Sequence, residues 1–325
     1  MRRVLMSDCG CGRKKKSKDM RFVCAQPATS YYAWQVEVML NNFKEVGINL
    51  NQVDIVCYIE DEIPEEWHKL RYGYAARFFF YKDTRLKKQY ISSIRPNILK
   101  QHWEQHSELQ NDVIFYHDCD IVFTKPIDWN QFTNDELWYG SDTKWYISYD
   151  YIIGKGEDVF ESMTNIIDID PQIVIDNNDN TIGAQYIMKN IDASFWEDVE
   201  NDSENLFVGI TKLNQQKKKE DPTHHELQIW CSDMWAVLWN GWKRGFKTRT
   251  HDDLLFAWAT SQEKDWNDYN IFHNAGVVND ENGLFYKAKY IHILPYNLDL
   301  DIKEGTASKK YYEQIQKTEQ VSVLV

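Results

Sequence analysis

The chain has 325 residues, of which 43% are hydrophobic and 14% aromatic, so it can bury a full core as one large domain or two small ones. Its 37 basic and 50 acidic residues give a formal charge of −13, which excludes the overall basic surface typical of nucleic-acid-binding proteins. No apolar run approaches the ~20 residues that cross a bilayer, and the apolar start is too short for a secretory signal. We therefore expect a soluble, cytoplasmic protein, and six scattered cysteines fit a reducing compartment.

Residues 1–20 contain little that could pack against a core, and we predict a mobile tail there. Cys9 and Cys11 in this tail could hold a soft metal, although two thiolates alone do not make a closed four-ligand site. Basic runs at 13–16, 217–219 and 243–247 could contact phosphates, but such runs more often mark solvated loops and helix faces.

Hydrophobic periodicity predicts alternating strands and helices after this tail. Apolar residues from Trp34 to Phe43 follow helical spacing, and Gly47 ends the pattern. The predicted elements are strands at 21–25, 54–59, 78–81 and 113–116, with helices at 31–46 and after Pro96. Such alternation is typical of an α/β fold, in which helices flank a mostly parallel sheet and ligands bind at the carboxyl ends of the strands.

The most informative stretch is the apolar strand 113–116, which runs directly into Asp118 and Asp120 and then into a second apolar run at 121–123. Two carboxylates one residue apart on an extended backbone point the same way. Mg²⁺ or Mn²⁺ takes one or two such carboxylates and leaves its other positions to phosphate oxygens and water. The pair therefore favours a metal site for a diphosphate, although an isolated Asp-x-Asp is often only a solvated turn.

No glycine-rich phosphate loop accompanies this acidic pair. Ala25 and Gln26 stand where a dinucleotide-binding protein would carry Gly-x-Gly-x-x-Gly, and a Walker-type Gly-Lys-Ser/Thr is also missing from the sequence. Phosphates would therefore have to be held by a metal and by side chains. A nucleotidyltransferase, which also uses paired carboxylates, would need a further acid nearby and a glycine-rich loop, and neither is evident.

Several short motifs in this order resemble the metal-dependent glycosyltransferases of the GT-A fold. They are Tyr32-Ala-Trp-Gln35, Ile94-Arg-Pro-Asn97, Asp118-Cys-Asp120, Trp230-Cys-Ser-Asp-Met-Trp235 and His273-Asn-Ala-Gly276. The chain is most similar in these motifs to hydroxyproline O-arabinosyltransferases and peptidyl-serine galactosyltransferases. The resemblance runs from about residue 21 to 295 and implies a GT-A domain at 21–300, with a nucleotide-binding half at 21–127 and an acceptor half at 128–300. Residues 301–325 would form a C-terminal helix or tail.

The resemblance implies a Mn²⁺ or Mg²⁺ site made of Asp118, Asp120 and His273. Asp120 is the first candidate for direct coordination, and Asp118 would contact the ribose or a metal-bound water. His273 would close the coordination sphere from a distant loop, or it could simply be a turn histidine satisfied by backbone. His117 and His292 are its competitors, each more typical of a core or turn residue.

The donor implied by the resemblance is a nucleotide-diphosphate sugar, with UDP as the expected nucleotide. Ala25, Gln26 and Gln35 are the candidate donor contacts around the first strand and helix. Arg95 could pair with a phosphate or the sugar, or form an ordinary surface ion pair. Gly183 would let a ligand approach closely and Gln185 could hydrogen-bond it, although a strand-edge turn explains both equally well. These two residues complete the candidate donor contacts.

Asp233 is the candidate catalytic acid, which would orient the acceptor or stabilise a cationic anomeric carbon. Its alternative role is that of a cap or first-turn acid, because Ser232 precedes it and 234–242 is predicted to be helical. Asp252 and Asp253 are the second candidates for this catalytic acid, although such a pair is more typical of an exposed turn. The resemblance also implies that the sugar is transferred with retention of configuration.

Two further groups of aromatic residues have competing interpretations. Six tryptophans lie in the acceptor half and could stack on sugar or base rings: Trp138, Trp145, Trp230, Trp235, Trp239 and Trp242. The last three follow i, i+4, i+7 spacing, which predicts one buried helix face instead. His102 and His106, four residues apart on a predicted helix, could hold zinc, but no third ligand is evident nearby.

The sequence thus predicts a metal-dependent glycosyltransferase that moves a sugar from a nucleotide-diphosphate donor to a hydroxyl group. The acceptor would be a protein, a peptide or a glycan. One alternative is transfer to hydroxymethylated bases in DNA, which would need a basic groove despite the acidic charge. Another is a carbohydrate-binding protein with the same fold and no turnover.

Overall fold

The computed structural model describes residues 20–318. Cys9, Cys11 and the basic run at 13–16 lie outside the described residues. The strands are β1 (Met20–Pro27), β2 (Val53–Tyr58), β3 (Arg77–Tyr81), β4 (Val113–Tyr116), β5 (Ile121–Phe123), β6 (Trp138–Asp142), β7 (Ile182–Lys189), β8 (Thr248–Thr250), β9 (Phe256–Trp258) and β10 (Ile271–His273). The α-helices are α1 (Ser30–Glu45), α2 (Glu65–Gly73), α3 (Ile94–Gln105), α4 (Lys144–Ile147), α5 (Tyr149–Ile153), α6 (Glu157–Ile167), α7 (Pro171–Asp176), α8 (Ala193–Glu220), α9 (Ser232–Lys243), α10 (Glu263–Asp268) and α11 (Ala307–Lys317).

Seven strands form the main sheet in the order β3-β2-β1-β4-β7-β6-β8. Strands β3, β2, β1 and β4 are parallel neighbours, β7 is antiparallel to both of its neighbours, and β8 is parallel to β6. The predicted fold class is confirmed, because this is a mostly parallel sheet with helices packed against it. The predicted strands and helices also occur, and α3 begins at Ile94, which places Pro96 in its first turn where proline is tolerated.

A second sheet of three short strands, β5-β10-β9, lies beside the main one. Strand β5 leaves the main sheet directly after β4 and pairs antiparallel with β10, with Ile121 opposite His273. Strand β9 runs parallel to β10. The small sheet therefore joins the chain around residue 121 to a segment that lies far away in sequence.

Helices cover the main sheet with the apolar faces that their spacing predicts. Helix α1 buries Val36, Met39 and Phe43 against the sheet and turns Trp34 and Val38 toward the small sheet and α11. Helices α3, α8 and α9 pack together and bury a separate cluster of apolar side chains. The predicted buried face of α9 is confirmed, because Trp235, Trp239 and Trp242 are each less than 5% exposed. None of the described helices is long and apolar enough to cross a membrane.

An ion cluster fastens the starts of β1, β2 and β3 to one another. The buried carboxylate of Asp54 accepts hydrogen bonds from Arg77 at 2.6 and 2.5 Å and lies 3.4 Å from Arg21. Burial alone would raise the pKa of Asp54, but hydrogen bonds from His102 and Arg77 lower it. Both ring nitrogens of His102 are engaged, one with Tyr81 and one with Asp54, so the zinc hypothesis for His102 and His106 gains no support.

Asp202 on α8 has the opposite environment, and its replacement by asparagine should stabilise the protein at high pH. Burial raises the pKa of Asp202 to about 6. A carboxylate whose pKa is higher in the folded state destabilises that state as pH rises from about 4 through 6. We expect Asp202→Asn to add about 2 kcal/mol to the free energy of unfolding at pH 8 and little at pH 4. Urea unfolding at both pH values measures the difference.

The amide of an introduced asparagine can still accept the 2.8 Å hydrogen bond from Asn240. The matched control is Asp198→Asn, because Asp198 is half exposed and pairs with Arg244. This control should not stabilise the protein. An equal gain for Asp202→Asn at pH 4 and pH 8 would rule out ionisation as the cause.

Candidate active site

A cavity of about 610 Å³ opens at the carboxyl ends of β1 and β4. The loop after β1, the first turns of α1, α3 and α9, and the turn between β4 and β5 all contribute to its wall. The loop after β10 closes another side with Ala275 and Lys287. This is the edge of a parallel sheet at which ligands bind in α/β proteins.

Asp118, Asp120 and His273 come together on this wall. Their candidate ligand atoms all lie within 4.8 Å of one another. Nε2 of His273 is 3.2 Å from Oδ1 of Asp120 and 3.5 Å from Oδ2 of Asp118. The pairing of β5 with β10 sets this geometry, and the backbone N–H of Asn274 donates to the carbonyl of Asp120 at 2.9 Å. Two carboxylates and an imidazole are a donor set that Mn²⁺ accepts well, so the residues fit the predicted metal.

Two further cations lie against these carboxylates. Lys287 pairs with Oδ2 of Asp120, and Arg95 pairs with both Asp118 and Asp233. Burial would raise the pKa of Asp120 and of Asp118, but Lys287 and His273 lower the first, and Arg95 and His273 lower the second. Both carboxyl groups are therefore ionised, as metal ligands must be.

His273 responds to the same carboxylates. Burial alone would lower its pKa, but Asp120 and Asp118 outweigh that effect and raise the pKa to about 9. His117 behaves differently, since burial lowers its pKa to about 4 and its Nδ1 is bonded to the carbonyl of Asp118 at 2.9 Å. His117 does not line the cavity and His292 is exposed, so the structure singles out His273 among the three.

Asp233 lies in the first turn of α9 and also on the cavity wall. Its Oδ1 accepts a 2.7 Å hydrogen bond from the hydroxyl of Tyr90, and its Oδ2 pairs with Arg95. A carboxylate is also favoured at this position by the helix dipole. Asp252 and Asp253 form a short turn outside the cavity, where Asp253 bonds Gln131 and Asn270.

Three of the predicted donor contacts also line the cavity: Ala25, Gln26 and Gln35. The side-chain amide of Gln35 donates to the carbonyl of Tyr31 at 2.6 Å. That of Gln26 donates to the carbonyl of Val56 at 3.3 Å, whereas its buried Oε1 has no hydrogen-bond partner. Gln26 thus offers an acceptor to a ligand that carries an N–H.

Gly183, a predicted donor contact, does not line the cavity, whereas its neighbour Ala184 does. A Cβ on Gly183 would lie 2.7 Å from Cε of Met234 and 2.8 Å from Oγ1 of Thr143, so this glycine lets α9 pack closely and does not line the cavity. Gln185 is fully buried and does not line it either. Ala184, at a φ of 60°, occupies the cavity wall between them.

Sequence reasoning missed several cavity residues. Lys287 and Trp258 belong to no motif that the sequence shows, and Tyr146 and Tyr186 also line the cavity. Of the six candidate stacking tryptophans, only Trp230 lines the cavity. Trp145 lies beside the cavity, where its ring contacts that of Trp258. Trp138 is buried in the main core, as are the three tryptophans of α9.

No protein-family model matches this sequence, and no curated protein sequence matches it either. Among solved structures, the apo bifunctional glycosyltransferase WbbM is similar over 93% of this chain, with 9% identity and a TM-score of 0.48. This chain spans 50% of the length of the WbbM chain. The galactosyltransferase LgtC, in complex with donor and acceptor sugar analogues, is similar over 93% of this chain and 98% of its own, with 10% identity and a TM-score of 0.44.

Proposed function

We propose that this protein is a metal-dependent GT-A glycosyltransferase that transfers a sugar from a nucleotide-diphosphate donor to a hydroxyl acceptor. The observation that carries the proposal is the convergence of Asp118, Asp120 and His273 on one wall of a 610 Å³ cavity at the carboxyl ends of parallel strands. Lys287 and Arg95 add two cations to the same wall. Cations next to a carboxylate–imidazole cluster suit a diphosphate bound through a metal.

The proposed chemistry assigns each residue one task. A divalent ion held by Asp118, Asp120 and His273 would stabilise the negative charge of the diphosphate as it leaves the sugar. Lys287, already in contact with Asp120, would add a second positive charge beside the phosphates. Arg95 holds Asp118 and Asp233 at a fixed separation, so the metal side and the acceptor side of the cavity keep their geometry.

Asp233 would orient the acceptor hydroxyl or stabilise positive charge at the anomeric carbon. We also propose that the transferred sugar keeps its anomeric configuration. The unpaired Oε1 of Gln26, which also lines the cavity, would accept a hydrogen bond from an N–H of a nucleotide base. UDP, which the sequence resemblance implies, is the nucleotide that we propose.

For the acceptor we propose a hydroxyl on a protein, a peptide or a glycan. Transfer to DNA is the weaker alternative, because four of the six basic side chains in the runs at 217–219 and 243–247 pair with neighbouring acids. Arg244 pairs with Asp192 and Asp198, and Lys217 pairs with Asp158. A duplex would need unpaired basic side chains along its phosphates.

The experiment that tests the proposal is a thermal-shift screen of UDP-sugars and other nucleotide sugars with and without Mn²⁺. A true donor stabilises the folded state by mass action, and we expect the shift to require Mn²⁺. Release of nucleoside diphosphate in the presence of Mn²⁺ separates an enzyme from a carbohydrate-binding protein of the same fold. If no nucleotide sugar stabilises the protein with Mn²⁺, the proposal is wrong.

Replacing Lys287 with methionine should weaken donor binding. Lys287 contributes the ammonium group beside Asp120, and a hydrogen bond to a charged phosphate contributes roughly 1.5–3 kcal/mol. We expect the dissociation constant of the donor with Mn²⁺ to rise about 10-fold to 100-fold. Titration calorimetry measures this change.

The control is Lys289→Met, two residues away, because Lys289 is half exposed, pairs with Asp280 and does not line the cavity. Donor affinity should be unchanged in that variant. Equal affinities for both variants would remove Lys287 from the donor site.

A further inference from the structure

Four aromatic side chains form a continuous surface that leads from the metal cluster to the outside of the protein. We call this surface, made of Trp258, Tyr146, Trp145 and Trp230, the aromatic wall. The ring of Trp258 is stacked on that of His273, with centroids 6.4 Å apart and an interplanar angle of 11°. Trp258 contacts Tyr146 at 6.2 Å and Trp145 at 5.8 Å, and Tyr146 is stacked with Trp230 at 6.3 Å.

The outer half of the aromatic wall is exposed to a degree that packing does not explain. Trp145 is 65% exposed and Trp230 is 57% exposed, whereas Tyr146, which contacts both rings, is buried. Exposed apolar surface of this size at the mouth of a cavity is typical of a binding site. Trp230 also lines the cavity itself. The exposed rings are therefore part of the same site as the metal cluster.

The aromatic wall lies on the acceptor side of the cavity. The hydroxyl oxygen of Tyr90 lies 2.7 Å from both the backbone carbonyl of Trp230 and Oδ1 of Asp233, so its single proton is shared between the two acceptors. Gln26 and Tyr58, by contrast, line the cavity from β1 and β2. A ligand on the aromatic wall would thus reach Asp233 first, with the donor entering beside the loop after β1.

The charges around the aromatic wall favour an uncharged ligand. On the helix that carries Trp145 and Tyr146, the one lysine, Lys144, lies 4.0 Å from both Asp142 and Asp179, so its charge is already paired with acids. A flat apolar ring beside carboxylates suits the C–H face of a sugar, whose hydroxyl groups can donate to the acids.

Resting on the proposed function, we propose that the acceptor is a carbohydrate whose sugar ring stacks on Trp230 and Trp145. The hydroxyl group that receives the new sugar would then point toward Asp233. The competing acceptor classes are a peptide and a DNA base. Neither of them predicts binding to glycans through the aromatic wall.

The experiment compares the parent protein with the double variant Trp145→Ala and Trp230→Ala on a glycan array, with Mn²⁺ and UDP present. We expect the parent to be retained on a subset of glycans and the double variant to bind those glycans about tenfold more weakly or worse. Replacing Trp230 with phenylalanine instead of alanine keeps a flat ring, so Trp230→Phe should retain part of the glycan binding that the double variant loses. The control is Tyr72→Ala, because Tyr72 is 82% exposed on α2 and does not line the cavity.

Two results would overturn the inference. One is a parent protein that is retained on no glycan, and the other is a double variant that binds the same glycans as strongly as the parent does. Stabilisation by UDP and Mn²⁺ is measured on every variant in parallel and should not change. If UDP and Mn²⁺ do not stabilise the parent protein, the proposed function is contradicted. That result is distinguishable from a failure of the carbohydrate-acceptor inference, in which the stabilisation is present.

Discussion

Asp120→Asn is expected to abolish the Mn²⁺-dependent part of donor binding and to reduce sugar transfer about 1000-fold or more. Asp120 is nearly buried, lies 3.2 Å from His273 and pairs with Lys287, so it is the carboxylate most enclosed by the site. A metal that stabilises a leaving diphosphate contributes several kcal/mol, and each ~1.4 kcal/mol changes a rate tenfold. The measurements are the thermal shift produced by UDP-sugar with and without Mn²⁺ and the initial rate of transfer.

Asp252→Asn is the matched control, because Asp252 is exposed and lies outside the cavity. This variant should keep both the Mn²⁺-dependent shift and the transfer rate. Circular dichroism and the melting temperature without ligand establish that Asp120→Asn is folded. A folded Asp120→Asn protein that still responds to Mn²⁺ like the parent would show that the acidic pair is not the metal site.

Asp233→Asn should separate chemistry from donor binding. Arg95 bridges Asp233 and Asp118, and in the proposed mechanism Asp233 would act on the acceptor and the anomeric carbon, not on the metal. Removing one group that stabilises transition-state charge typically lowers kcat about 100-fold to 1000-fold. We expect a loss of that size, with the Mn²⁺-dependent thermal shift of the donor retained. Steady-state kinetics with varied donor, together with the thermal shift, test this expectation.

Tyr90→Phe is the companion variant for Asp233. It removes the 2.7 Å hydrogen bond to the carboxylate but leaves the charge in place, so a smaller loss of about tenfold in kcat is expected. The order of the two variants is informative. If Asp233→Asn transfers sugar as fast as the parent does, Asp233 is only a first-turn helix acid.

The first half of the fold could be predicted because its signals are local. Each strand from β1 to β4 is a short apolar run, and α1 has an uninterrupted helical period, so neighbouring residues decide the structure. The position of Asp118 and Asp120 at the end of β4 follows from the same local pattern. Their location at the edge of the cavity then follows from the parallel sheet.

The remainder of the site depends on distant pairings that local patterns do not encode. The position of Lys287 against Asp120 depends on the loop after β10, whose sequence has no motif that assigns it a partner. Arg95 stays a predicted donor contact, and its pairing with both Asp118 and Asp233 depends on how α3 and α9 meet. The shift from Gly183 to Ala184 depends on the irregular register between β6 and β7, which no single strand reveals.

The small sheet has a consequence for the order in which the site becomes functional. Because Ile121 is paired with His273, the imidazole reaches the acidic pair only after the chain has been made as far as β10 and the small sheet has closed. A nascent or truncated polypeptide that ends before β10 would therefore carry both aspartates without their third partner. Competence to bind the ion would arise late in biosynthesis, as a property of the finished tertiary structure, and incomplete chains would not consume sugar nucleotides.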